Sequence, residues 1–233
     1  MIQSQTLLVS GCSITHGCEI YNSFMHPKNV QGSYSQIIAD ELNLELKNVA
    51  LSGGSNDWIF SSLIQQLQTC NNIHSVIVAW TGVNRLTWVH KERFWIMTAR
   101  FVASIKRISP HSMEFPDWLR NINENDVWFN TDDLTCLDTL KKHYRLFVEN
   151  YLDDHDGLRE KLISYSVALR AVCESKNIKL VELAAVSDAQ IPGAYYFTPM
   201  DKWRLAAGRG RHPTADEHKA IAKEILDKFY QHK

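Results

Sequence analysis

The chain has 233 residues, 45% of them hydrophobic and 22% charged, with a formal net charge of -1. That length and composition suit one soluble globular domain with a sizeable core. The near-neutral balance excludes the basic field of a nucleic-acid-binding protein. Five cysteines without regular spacing suggest neither a disulfide framework nor a zinc site. Reduced thiols fit a cytosol-like compartment, so the expected location is cytoplasmic.

Thr6-Leu7-Leu8-Val9 is a short apolar run ended by Gly11, the pattern of a buried strand. Val9-Ser10-Gly11-Cys12 has the form of a lipoprotein cleavage box, but the residues before it carry no Lys or Arg. The apolar run is also far too short for a signal core, and cleavage would delete the strand, so that reading is rejected. No run approaches the roughly 18 apolar residues of a membrane span. A loop to about residue 31 leads into a helical pattern with Tyr34, Ile37, Ile38 and Leu42 on one face. Residues 44–50 read as a second strand, stopped by Ser52-Gly53-Gly54. Ser55 or Asn56 can cap the next helix, whose buried stripe is Ile59, Leu63 and Leu67 with Phe60 and Ile64 alongside.

Ser75-Val76-Ile77-Val78-Ala79-Trp80 is the clearest strand. After Arg85 the pattern changes. Trp88, Trp95, Trp118 and Trp128 fall among acidic turns such as Asp132-Asp133, with helical but no convincing strand signal. A helical insertion or cap over the sheet is expected at about 86–157, not a second domain. A long helical pattern at about 158–176 precedes a strand at 178–183. In the last helix Thr214 and Glu217 have capping-box spacing, and Ile221, Ala222, Ile225, Leu226 and Phe229 form an apolar face. Alternating strands and helices predict parallel pairing, hence a single α/β domain over 1–233 with its sheet covered on both faces.

In such a sheet, ligands bind outside the carboxyl ends of the strands. Ser13 follows the first strand, Gly53 the second and Asn84 the third, while His212 lies in the turn before the last helix. The four can therefore converge on one rim. Ser13 is the candidate nucleophile, which needs an imidazole to take its proton. A plain helix N-cap is the competing role for this serine. The Gly53 N–H and the Asn84 amide are candidate donors to a developing oxyanion, with strand-ending turns as the alternative. His212 is the candidate base, its ordinary pKa lying near working pH. His218 reads as a packing or surface residue. Cys12 is a second nucleophile on chemistry alone, but neighbours on an extended strand exit point opposite ways. A buried, inert thiol is the expectation there.

These residues resemble the SGNH hydrolases, the GDSL-type esterases and lipases. The Gly-Asp-Ser-x-x-x-Gly block is matched by Gly11-Cys12-Ser13-Ile14-Thr15-His16-Gly17, with Cys12 in place of Asp. The second block is similar to Asn48 through Gly53, the Gly-x-Asn block to Gly82-Val83-Asn84, and the histidine block to His212-Pro213-Thr214-Ala215. The resemblance covers roughly residues 5–85 and 178–230. It implies a three-layer α/β/α sandwich with a mostly parallel, flavodoxin-like sheet. It also implies ester hydrolysis through an acyl-enzyme on Ser13, with Ser13, Gly53 and Asn84 at the oxyanion and no cofactor or metal. Implied substrates are short acyl esters, thioesters, lysophospholipids or O-acetylated sugars, on whose rings tryptophans can stack.

The family's last block is Asp-x-x-His-Pro, and Arg209 stands where its Asp would be. Three explanations stay open. The imidazole can be oriented by a backbone carbonyl in a Ser–His dyad, or by an acid from elsewhere, Asp201 or Asp188. Alternatively the chain has kept a binding site without catalysis. Arg209 and Arg211 beside the base suit an anionic substrate. Acyl transfer to an alcohol or sugar is a further alternative to hydrolysis. The oligomeric state is not legible in the sequence.

Overall fold

The computed structural model describes residues 5–18, 20, 28–51, 54–83, 85–90, 93–97, 155–186, 189, 191–196 and 212–230. Its main sheet has five strands: β1 (Thr6–Ser10), β2 (Glu45–Asn48), β3 (Ile73–Trp80), β6 (Lys179–Ala184) and β7 (Tyr195–Tyr196). They lie in the order β2-β1-β3-β6-β7, and every neighbouring pair is parallel. This is a flavodoxin-like arrangement, as expected.

Both faces of the sheet are buried, so side chains of alternate parity feed two separate cores. Leu7, Val9, Ile77, Ala79, Val181 and Leu183 pack with Tyr34 and Ile38 of α2 (Tyr34–Glu41) and with Ile221 and Ile225 of the C-terminal helix α5 (Ala215–Phe229). Leu8, Val76, Val78 and Trp80 pack on the opposite face. There they meet Ile59 and Leu63 of α3 (Asn56–Thr69), with Leu162 and Leu169 of α4 (His155–Ser175). The result is a three-layer α/β/α sandwich. No helix among the described residues is long and apolar enough to cross a membrane.

Most boundaries fall where the sequence placed them. Ser55, not Asn56, caps α3 by accepting from the Trp58 N–H at 3.3 Å. The capping box of α5 is complete, with Thr214 N–H donating to Glu217 Oε2 at 2.6 Å and Glu217 N–H to Thr214 Oγ1 at 3.4 Å. One expectation fails. The stretch expected to be a helical insertion opens instead with an antiparallel hairpin, β4 (Leu86–His90) and β5 (Arg93–Met97), its strands in the register Trp88↔Trp95. Leu-Thr-Trp-Val-His and Arg-Phe-Trp-Ile-Met are rich in β-branched and aromatic residues, a strand signal that the surrounding helical pattern obscured. Residues 98–154 of that expected insertion lie outside the described residues.

Topology positions the rim. From β1 the chain crosses by α2 to β2 on one side, then by α3, on the other face, back past β1 to β3. The connections therefore diverge between β1 and β3, the switch point where open parallel sheets bind ligands.

Candidate active site

Ser13 lies beside that switch point. It is the first residue of the one-turn helix α1 (Ser13–His16), just beyond β1, and it is 8% exposed. The N-cap is Cys12, whose side chain makes no capping bond. Ser13 is thus not spent as a cap. Cys12 itself is buried, at 1% exposure, as expected of an inert thiol. The turn closes at Gly17, whose φ of 84° is one that only glycine adopts without strain. Gly11 has a different constraint. A Cβ there would stand 2.1 Å from Thr15 Oγ1 and 2.6 Å from Thr15 Cβ. The α1 turn can fold back onto the strand end only because that position has no side chain.

Three loops at this rim are bonded to one another. Leu51 N–H donates to Gly11 O at 3.1 Å, joining the loop after β2 to the end of β1. Asn48 does more: its Nδ2 donates to Thr15 O at 3.1 Å and to Ser35 Oγ at 3.2 Å, while its Oδ1 accepts from Ala50 N–H at 2.9 Å. One side chain so holds α1, the start of α2 and its own turn. Asn56, buried at the start of α3, grips the loop after β3 with both ends of its amide. Nδ2 donates to Thr81 O and Oδ1 accepts from Thr81 N–H, each at 2.9 Å. Arg85 Nη1 reaches Gly54 O at 3.4 Å. At Gly54 an added Cβ would meet Leu51 O at 2.9 Å and Gly11 O at 3.3 Å, so this close approach also requires a bare backbone.

Gly53 and Asn84 lie outside the described residues, as do Asp188, Asp201, Arg209 and Arg211. Their described neighbours Gly54, Val83 and Arg85 belong to the bonded loops above.

His212 is half-buried, two residues before the Thr214 cap of α5. Helices that connect parallel strands run antiparallel to them, so the start of α2 lies at the carboxyl rim of the sheet. The start of α5 is tied to that same point. Tyr34 N–H donates to His218 Nδ1 at 3.2 Å, the two rings stack with centroids 5.9 Å apart, and Tyr34 Oη donates to Thr15 Oγ1 at 2.9 Å. Thr15, two residues after Ser13, and His218, six after His212, thus belong to one connected group of side chains.

His218 is fully buried, which resolves its reading as packing or surface in favour of packing. Burial, aided by the nearby charge of His212, pushes its pKa down to about 4. Since Nδ1 accepts a backbone N–H, the ring proton sits on Nε2, which is buried and makes no hydrogen bond. Burial likewise pushes the Tyr34 phenol well above its ordinary range, keeping it a donor to Thr15. The half-buried His16 is pushed down by burial as well.

Sequence reasoning assigned no role at the site to Thr15, Tyr34 or Asn48, and named Asn56 only as a candidate helix cap. Asn48 did carry a signal, because an Asn ending a strand commonly bonds its own backbone two residues on. A further group was also missed. Glu182 is buried in the apolar run of β6, where its carboxylate accepts from Trp80 Nε1 at 3.0 Å, from Ser166 Oγ at 2.6 Å and from Arg170 Nε. Arg170 Nη2 continues to Pro192 O at 2.6 Å, fixing the turn into β7. Among the described residues no group of three or more His, Cys, Asp and Glu could hold a metal ion.

No family model matches the chain, and no curated protein does. Among solved structures, it is similar to a psychrotrophic esterase from Pseudoalteromonas sp., with 13% identity, 96% of this chain and 95% of that one covered, and a TM-score of 0.38. An acetyl xylan esterase from the rumen bacterium Butyrivibrio proteoclasticus is similar at 13% identity over 97% of this chain and 64% of that one, with a TM-score of 0.46. A member of the lipolytic protein G-D-S-L family from Veillonella parvula DSM 2008 is similar at 15% identity over 98% and 100% of the two chains, with a TM-score of 0.37.

Proposed function

We propose that this chain is a serine ester hydrolase that works through an acyl-enzyme. The observation that carries the reading is topological. Ser13 opens a helical turn at the β1/β3 switch point, its hydroxyl not used as a cap, within loops bonded to one another after three successive strands. A ligand-binding crevice is expected there in an open parallel sheet.

In this mechanism His212 takes the Ser13 Oγ proton as Oγ attacks the ester carbonyl carbon. The negative charge that builds on the carbonyl oxygen is met by the N–H groups of Ser13 and Gly53 and by the Asn84 amide. Collapse breaks the bond to the alcohol, which leaves with the proton held by His212. Water, deprotonated in turn by His212, then releases the acid and restores the hydroxyl. Asp201, Asp188 or a backbone carbonyl orients the imidazole. The substrates are small acyl or O-acetyl esters, carbohydrate esters among them, and Arg209 and Arg211 favour acidic ones.

The test is labelling with a fluorophosphonate probe alongside hydrolysis of p-nitrophenyl acetate. The wild type is labelled on Ser13 and turns over the ester, and Ser13→Ala abolishes both. Arg209 at the position of the family's acid favours a second reading, a binding module on the same fold. A folded wild type that resists the probe and leaves the ester intact decides for that second reading. Product that appears on an added sugar or alcohol in preference to water identifies an acyltransferase.

A further inference from the structure

His218 stands six residues after His212 and is fully buried. On one side its backbone N–H donates to Thr214 O at 2.9 Å, within the turn that the Thr214–Glu217 capping box holds, immediately after His212-Pro213. On the other side its ring accepts the Tyr34 N–H and lies against the Tyr34 ring at an interplanar angle of 18°. The Tyr34 hydroxyl reaches Thr15 Oγ1, and Thr15 is wedged over Gly11 in the turn that begins with Ser13. A continuous path of short contacts thus runs from the end of β1 to the tripeptide that contains His212.

We propose that His218 is a positioning residue for the candidate base: by locking the first turn of α5 to the start of α2, and through Tyr34 and Thr15 to the Ser13 turn, it sets where His212 stands relative to Ser13. This rests on the reading of His212 as the base. The chemistry of the position explains the residue type. Leucine would fill the space but leave the Tyr34 N–H without its acceptor, and lysine or arginine has no acceptor to offer. A cation here would also oppose the imidazolium that His212 becomes during the reaction. Burial holds His218 neutral, and it lies close enough to feel the charge of His212.

The test compares His218→Leu with His218→Asn, whose Oδ1 can take the place of Nδ1, after thermal unfolding has shown both to be folded at the assay temperature. His218→Leu lowers kcat on p-nitrophenyl acetate roughly 10²-fold with KM changed less than about twofold. His218→Asn restores most of the loss. In parallel, NMR of the histidine rings shows the His212 resonances displaced in His218→Leu and close to wild type in His218→Asn. Equal loss of kcat in both variants, an effect on KM alone, or His212 resonances that stay in place in His218→Leu would each overturn the proposal. A wild type inert to ester and fluorophosphonate removes the esterase reading instead, and the NMR comparison still decides what His218 does.

Discussion

His218 makes the stability of this fold depend on pH over a defined window. Its ring is neutral in the folded protein, with a pKa of about 4 against an ordinary 6.5, because burial excludes the charged form and His212 lies nearby. Above pH 6.5 the ring is neutral in both the folded and the unfolded chain, so it adds no slope. Between 6.5 and about 4 the unfolded chain binds a proton that the fold refuses, so stability falls as pH falls. Below about 4 both states carry the proton and the loss levels off. At about 1.4 kcal/mol per pH unit, the full loss comes to about 3 kcal/mol, of which about 2 kcal/mol has gone by pH 5. That is a large share of the roughly 5–15 kcal/mol that holds an ordinary domain together. The imidazolium also surrenders its Nδ1 acceptor, so the bond from Tyr34 N–H is lost in the same step. Urea denaturation of wild type and His218→Asn at pH 7.5, 6, 5 and 4.5 measures the effect. The difference between the two proteins isolates this ring from the other histidines. Asparagine does not titrate, so the wild type should lose about 2.5 kcal/mol more than the variant between the ends of that range. Parallel stability curves for the two proteins would refute the reasoning.

Two further substitutions test the bonds that hold the rim and its support. Asn56→Ala strands the Thr81 N–H and C=O without partners and lowers stability by about 2–4 kcal/mol in chemical denaturation; a loss under about 0.5 kcal/mol would mean that the amide clamp does not hold the β3 loop. Arg170→Met leaves the Glu182 carboxylate buried without its cation and lowers stability by about 3 kcal/mol. The double variant Arg170→Met with Glu182→Leu recovers much of that loss, and a double variant no better than the single one argues against an ion pair at the root of the effect.

The elements were legible because their signals are local. The apolar run of β1, the unbroken run of β3, a cap at Ser55 or Asn56 and the Thr214–Glu217 box each lie within a few residues, and each appears in the fold, the cap at Ser55. The β4–β5 hairpin escaped because its ten strand residues sit inside a long stretch of helical pattern, where a short alternation is outvoted. His218 looked like any histidine on an amphipathic helix, for nothing within its own helix distinguishes a packed imidazole from a surface one.

The amino-acid sequence alone determined the α/β class, the helices and strands of the main sheet that carry strong local patterns, and the positions of Ser13 just beyond β1 and His212 just before α5. Periodicity, capping and turn chemistry are properties of neighbouring residues. Only the tertiary structure decided which residues share the rim. The Thr15–Tyr34–His218 path joins residues 19 and 184 positions apart, Asn48 meets Thr15 across 33, and Asn56 meets Thr81 across 25. Such pairings exist only once the sheet order is set, because burial leaves each of these polar groups one place in the fold where its partner can be found.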